Sequence, residues 1–178
     1  SKTMRVLSSH CPSPAHHLGY WRARTWFTVG ENYLLFWEDT WEPKGIFSGK
    51  GSLITMVKAS PKGGALAVGE ENGSLHLLGE PDQIREVFSF DSAILSLCWR
   101  DEKNLVVGLW NGELGIITLG RGYRKIGQKE GPILSLLAGG RRIYAGDNQG
   151  FICAMDEGGR QLWNSEAMGE AITSLCLH

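Results

Sequence analysis

Leu53-Ile54-Thr55-Met56-Val57, then Ala65-Leu66-Ala67-Val68-Gly69, then Asn72-Gly73 and Ser74-Leu75-His76-Leu77-Leu78 are three short apolar runs separated by turn residues, inside a unit from Gly51 to Phe90. Runs of this length bounded by Gly, Pro, Asn and Ser read as strands. Asn-Gly between two of them predicts a hairpin with a two-residue type I′ turn, which needs positive φ at both central residues. Gly73 is then a backbone requirement, and the unit predicts a small antiparallel sheet.

The pattern returns about 39 residues later as Ile94 to Cys98, Leu105 to Gly108, Asn111-Gly112 and Glu113 to Ile117. A third copy reads Ile133 to Leu137, Ile143 to Gly146, Gln149-Gly150 and Phe151 to Met155, with Gln in place of Asn at the turn. A more diverged unit comes first, with Trp26 to Gly30, Glu31-Asn32 and Tyr33 to Trp37, and Ile172 to Cys176 restarts the motif. Within the first unit Thr3 to Ser8 occupies the first-strand position, His10 to Gly19 is the longest loop, and Tyr20 to Val29 has the alternation of one strand. Several short strands repeating every 40 or so residues predict an all-β fold, a β-propeller segment of about four four-stranded blades plus the first strand of another. The expected blades cover residues 3–50, 51–90, 91–130 and 131–170, with a partial unit over 171–178, in one body spanning residues 1–178.

The same residues carry a family resemblance. Val57 to Gly64 resembles the first strand and Ser-Pro-x-Gly turn of WD-repeat propellers, and Phe36-Trp37-Glu38 their Trp-Asp strand end. Ala154 to Trp163 is similar to the pyrroloquinoline-quinone-type repeat. The family's Gly-His pair is replaced by Gly51-Ser52, Ser92-Ala93, Gly131-Pro132 and Glu170-Ala171, which removes its buried Asp-His-Ser-Trp network and leaves blade stability to packing and turns. The resemblance implies propeller architecture and a surface that binds proteins.

The net charge of −1 over 178 residues, with both signs interspersed, gives no prior for nucleic acid or anionic membranes. Arg22 and Arg24 interleave with Trp21 and Trp26 as in a stacking patch for nucleic acid, but the accompanying basic excess is missing. No apolar run approaches the roughly 20 residues of a spanning helix. Cys98, Cys153 and Cys176 fall in predicted strands, with Cys98 and Cys176 at equivalent repeat positions. All three read as buried free thiols, which suits a cytoplasmic location.

His10, Cys11, His16 and His17 form the one metal-like cluster, with a spacing that matches no zinc pattern, so no metal and no cofactor are expected. Nucleophile-base pairs, paired carboxylates and phosphate-cradling glycine loops are not recognisable, so no catalytic residues are assigned. Glu70-Glu71 beside a turn reads as solvated, and Trp37 and Trp163 as packing between blades, with Trp41 and Trp110 as exposed candidates.

Loops joining second to third strands, and fourth strands to the next first strand, share one face in a propeller. Glu31, Glu70, Glu71, Asp91, Glu130, Asp147 and Glu170 gather there with Lys50 and Trp110, while Lys58, Lys62, Arg100, Lys103, Arg121, Arg124, Lys125, Arg141 and Arg142 gather opposite, partly offset by Glu80, Asp82, Asp101, Glu102, Asp156 and Glu157. The expectation is a non-enzymatic propeller scaffold whose acidic loop face holds a protein partner with a basic patch. The alternative is a ligand-binding propeller, lectin-like or quinone-type. An apolar fifth first strand at 171–178 adds the expectation that further blades come from another chain or a second copy.

Overall fold

The computed structural model describes residues 17–22, 25–37, 43–48, 52–80, 83–167 and 169–176. They form sixteen strands in four antiparallel sheets of four, each built from strands adjacent in the chain. The first sheet contains β1 (His17–Arg22), β2 (Thr25–Val29), β3 (Tyr33–Trp37) and β4 (Pro43–Ser48). The second contains β5 (Ile54–Ala59), β6 (Leu66–Glu70), β7 (Ser74–Glu80) and β8 (Gln83–Ser89). The third contains β9 (Ile94–Trp99), β10 (Asn104–Leu109), β11 (Glu113–Thr118) and β12 (Gly122–Gln128), and the fourth β13 (Ile133–Gly139), β14 (Arg142–Asp147), β15 (Phe151–Asp156) and β16 (Gln161–Glu166).

Inner strands β6 and β10 bury apolar residues on both faces, because a neighbouring sheet packs on each side. In β6, Leu66 and Val68 pack with Leu34 and Phe36 of the first sheet, whereas Ala67 packs with the third. In β10, Leu105 and Val107 face the second sheet and Val106 joins Ile133, Ile143 and Met155 of the fourth. Period-2 geometry sends alternate residues to opposite neighbours, so a run without polar interruption is what a sandwiched strand requires.

Successive units are also joined by a repeated polar contact, from a first strand to the isoleucine that opens the next unit. Thr55 Oγ1 donates to the Ile94 carbonyl, Ser96 Oγ to that of Ile133 at 2.8 Å, and Ser135 Oγ to that of Ile172 at 2.7 Å. Trp99 Nε1 adds a bond to the Lys58 carbonyl at 2.8 Å.

Several expectations are corrected. The sheets are open, and none is closed or curled into a propeller arrangement, so the propeller class is not what the chain adopts. A local repeat of strands and turns specifies sheets, and it carries no term for ring closure. The first strand of the first sheet is His17–Arg22, and Tyr20 to Val29 is not one strand but folds back, Tyr20 pairing with Trp26. Thr3 to Ser8 lies outside the described residues. Residues 171–176 form no strand, although Ile172 is buried and its N–H donates to the Asp147 carbonyl at 2.9 Å. Cys98 and Cys153 are half-buried and buried free thiols, but Cys176 is exposed. Trp163 is also 43% exposed, at a ring distance of 6.3 Å from Tyr144, with no sheet among the described residues covering that side of the fourth.

The Asn-Gly turns differ from the two-residue form. Gly73 N–H bonds the Glu70 carbonyl and Gly112 N–H that of Leu109, both at 3.1 Å, which centres each turn one residue earlier. The glycine that follows takes φ of 85° at Gly73 and 82° at Gly112. This is a turn closed by a left-handed residue, as in three-residue hairpin loops, and glycine is still required.

Candidate functional site: an acidic loop end around Trp110

The turns between second and third strands are clamped by the linkers at the same end of the sheets. Glu71 N–H bonds the Leu53 carbonyl at 2.9 Å, Trp110 N–H that of Ala93 at 2.9 Å, and Asn148 N–H that of Pro132 at 3.1 Å. On the outgoing side the carbonyls of Gly73, Gly112 and Gly150 accept from Phe90, Lys129 and Ala167 at 3.0, 2.9 and 2.8 Å. Asn72 and Asn111 N–H groups also bond Ser52 Oγ and Ser92 Oγ. Each turn is thus fixed between the strand entering its sheet and the strand leaving it, and the tips form a continuous layer.

Of the expected site residues, Glu31, Glu71, Asp91, Glu130 and Glu170 are exposed in this layer. Trp110 stands among them at 61% exposure, the highest of any large apolar side chain among the described residues. Lys50 and Trp41 lie outside the described residues, as do His10, Cys11 and His16, and no group of metal-ligating side chains occurs among the described residues.

Glu70 and Asp147 are not part of the exposed surface. Glu70 is 1% exposed, at the end of a strand covered on both faces, with Oε1 3.2 Å from His76 Nε2, and the His76 ring packs 5.1 Å from that of Phe47. Asp147 Oδ1 accepts the N–H groups of Gln149 and Phe151, both at 2.9 Å. It replaces the asparagine that holds the other turns, where Asn72 Oδ1 accepts from Ser74 and Asn111 Oδ1 from Glu113. Both acids therefore build the fold at the positions where surface charge was expected.

At the opposite end a few charged side chains bridge sheets. Glu102 accepts from Ser60 Oγ and Lys62 N–H, tying the third sheet to the second. Arg100 pairs with Glu157 at 3.2 Å, and Arg124 donates to the Glu157 carbonyl at 2.8 Å, tying the third to the fourth. The five exposed acids of the loop layer carry no such partner among the described residues.

Two features of the loop end escaped the sequence reading. Leu53 is 46% exposed beside Glu71. Next to the Trp110 turn, a cleft of about 240 Å³ opens between the second and third sheets, lined by Phe88, Phe90, Asp91, Asn111, Glu113 and Tyr123 among others. Phe90 and Tyr123 meet edge to face with centroids 4.9 Å apart. Tyr123 Oη donates to Glu113 Oε1 at 2.6 Å, and Lys125 Nζ reaches Oε2 at 3.0 Å. The tyrosine hydrogen bond, opposed by partial burial and aided by Lys125, holds the Glu113 carboxyl below its ordinary value, and burial followed by the same bond pushes Tyr123 well up. The only hint in the chain is aromatic Phe90 directly before Asp91; its partner Tyr123 is remote in sequence.

No protein-family model matches the chain, and no curated protein matches it. Among solved structures it is similar to the computationally designed Ika8 protein, with a TM-score of 0.80 and 17% identity over 90% of this chain. The match covers 52% of that designed protein, so the chain spans about half its length. At that identity the likeness concerns the fold alone. Membership of the WD-repeat or quinone-type propeller families is not upheld, and the propeller scaffold and ligand-binding propeller readings that rested on it fall with it.

Proposed function

We propose that this chain is an all-β interaction module that binds a protein through the loop end around Trp110, the partner presenting a basic patch. The observation that carries the reading is the exposure of Trp110 at 61% in the same loop layer as exposed carboxylates without a partner among the described residues, Glu71, Asp91 and Glu130 among them. A large aromatic on a rigid turn buries much area at small entropic cost, and tryptophan is enriched among the residues that dominate binding energy. The surrounding acids would steer a basic partner and lose that effect as salt screens them beyond about 8 Å. The clamped turns supply the rigidity, since each tip is hydrogen-bonded to two linkers.

The test is a photo-cross-linking amino acid placed at position 110, with position 141 at the opposite end as control. Position 110 should give a discrete protein adduct that disappears in high salt and in the Glu71→Lys, Asp91→Lys, Glu130→Lys triple variant. Equal labelling from both positions would reject the reading.

A further inference from the structure

We infer that the cleft beside Trp110 receives a single arginine side chain of the protein partner. The proposal rests on the loop-end reading above and names the chemistry by which that end recognises its partner.

The cleft has the size, walls and charge for this. Its volume of about 240 Å³ equals roughly eight waters, enough for one long side chain and too little for a folded element. Phe88, Phe90 and Tyr123 line it, so whatever enters meets aromatic surface. Two acidic residues line it as well, and they differ. Glu113 is already held by Tyr123 Oη and Lys125 Nζ, so its charge is compensated within the chain. Asp91 is exposed and carries no hydrogen bond or ion pair among the described residues. One uncompensated negative charge against aromatic walls matches one monovalent cation.

Arginine fits better than lysine. Its guanidinium is planar, weakly hydrated and able to stack on a ring while its N–H fork meets a carboxylate, whereas an ammonium is strongly hydrated and loses more on entering a partly dry cleft. The Tyr123–Glu113–Lys125 chain has a positioning role, because it fixes the tyrosine ring edge-on to Phe90 and keeps the wall in place.

The experiment uses the full chain labelled with nitrogen-15 and three short capped peptides, Gly-Arg-Gly, Gly-Lys-Gly and Gly-citrulline-Gly. The arginine peptide should shift the amides of Phe90, Asp91, Asn111 and Tyr123 in preference to others, with lysine weaker and neutral citrulline weakest. Asp91→Asn should weaken the arginine peptide about tenfold, the loss of a charge-assisted bond, with the remaining spectrum unchanged. Phe90→Leu should also weaken it while preserving apolar bulk. Citrulline binding as well as arginine, shifts centred elsewhere, or an unaltered affinity in Asp91→Asn would each overturn the proposal. Cross-linking from position 110 separates the two readings. Adducts that persist in Asp91→Asn, without any arginine preference, would leave the loop end standing and remove the cleft. Loss of adducts from the parent chain would remove the loop end itself.

Discussion

Ile133 occupies the space that a side chain on Gly108 would fill. A Cβ built on Gly108 would run into Ser96 Oγ and stand 2.6 Å from Ile133 Cγ2, and the Ile133 carbonyl accepts that same Ser96 hydroxyl. The contact recurs, since Gly69 meets Ile94 at 2.6 Å and Gly146 meets Ile172 at 2.5 Å. The glycine ahead of each turn is therefore a receptor for the next unit, and its job is close approach, with no left-handed backbone involved. Gly108→Ala should destabilise the chain by about 1–3 kcal/mol through overpacking. Combined with Ile133→Ala, its cost should shrink well below the sum of the two single changes, as a double-mutant cycle in denaturant would show. Strict additivity would mean that the two residues do not touch.

The turn glycines obey a different rule. Gly112 and Gly120 both take left-handed φ, 82° and 70°, but a Cβ on Gly112 would run into the Lys129 carbonyl while one on Gly120 meets nothing within 4 Å. Gly120→Ala should cost only the left-handed penalty, about 1–2 kcal/mol, and Gly112→Ala distinctly more. Equal melting temperatures for the two variants would contradict the crowding.

Asp147 offers a test of local compensation. Asp147→Ala frees the N–H groups of Gln149 and Phe151 and should cost about 1–3 kcal/mol. Adding Gln149→Asn should recover part of it, because an asparagine there can accept from residue 151 as Asn111 accepts from Glu113. If Gln149→Asn stabilises the parent as much as the Asp147→Ala variant, the two residues are not alternatives.

These contacts indicate what can be read from the chain and what cannot. The strands of the second, third and fourth sheets are legible because their runs are apolar on both faces, as Leu105, Val106 and Val107 are. β1 is not, since Trp21 is its one buried apolar member beside exposed Leu18 and Tyr20. Leu97 and Leu136 look equivalent in the repeat, yet Leu97 is 2% exposed and Leu136 only half-buried, since no sheet among the described residues follows its own. Ring closure depends on how sheets are set against one another, which no local period records. Glu70 reads as a surface acid until the register places His76 opposite Val68 and Phe47 above it. The cleft joins Phe90 to Tyr123, residues that share no motif.

Acid and alkali should both weaken the fold at the Tyr123–Glu113 pair, each through a different member. Glu113 has a folded value below its ordinary 4.5, so it supports folding above that pH and loses the contribution as pH falls from 4.5 through the folded value. Tyr123 is raised above its ordinary 10.0, so the folded state loses ground as pH climbs past 10.0. Tyr123→Phe should raise the Glu113 carboxyl value, seen by NMR titration, and flatten the acid limb of the stability curve. An unchanged Glu113 titration would mean that the hydrogen bond contributes nothing in solution.

Ile172 extends the glycine-isoleucine rule to the fourth sheet, under conditions that differ from those of its counterparts. Its side chain sits against Gly146, its carbonyl accepts from Ser135, and its N–H reaches Asp147, so three contacts hold it. Ile133, by contrast, belongs to a strand paired with β14 and is 0% exposed, against 5% for Ile172. Truncating a buried isoleucine to alanine costs about 2–5 kcal/mol where the surroundings cannot collapse. Around Ile172 the neighbours Ala171, Thr173 and Ser174 are exposed, with solvent rather than packed core on one side. Ile133→Ala should therefore lie in the upper part of that range and Ile172→Ala at or below its lower end. Ile172→Ala should also speed hydrogen exchange selectively at residues 147 and 172–175, leaving the second sheet protected. A loss of protection spread evenly over all four sheets would show instead that the segment is part of one cooperative core.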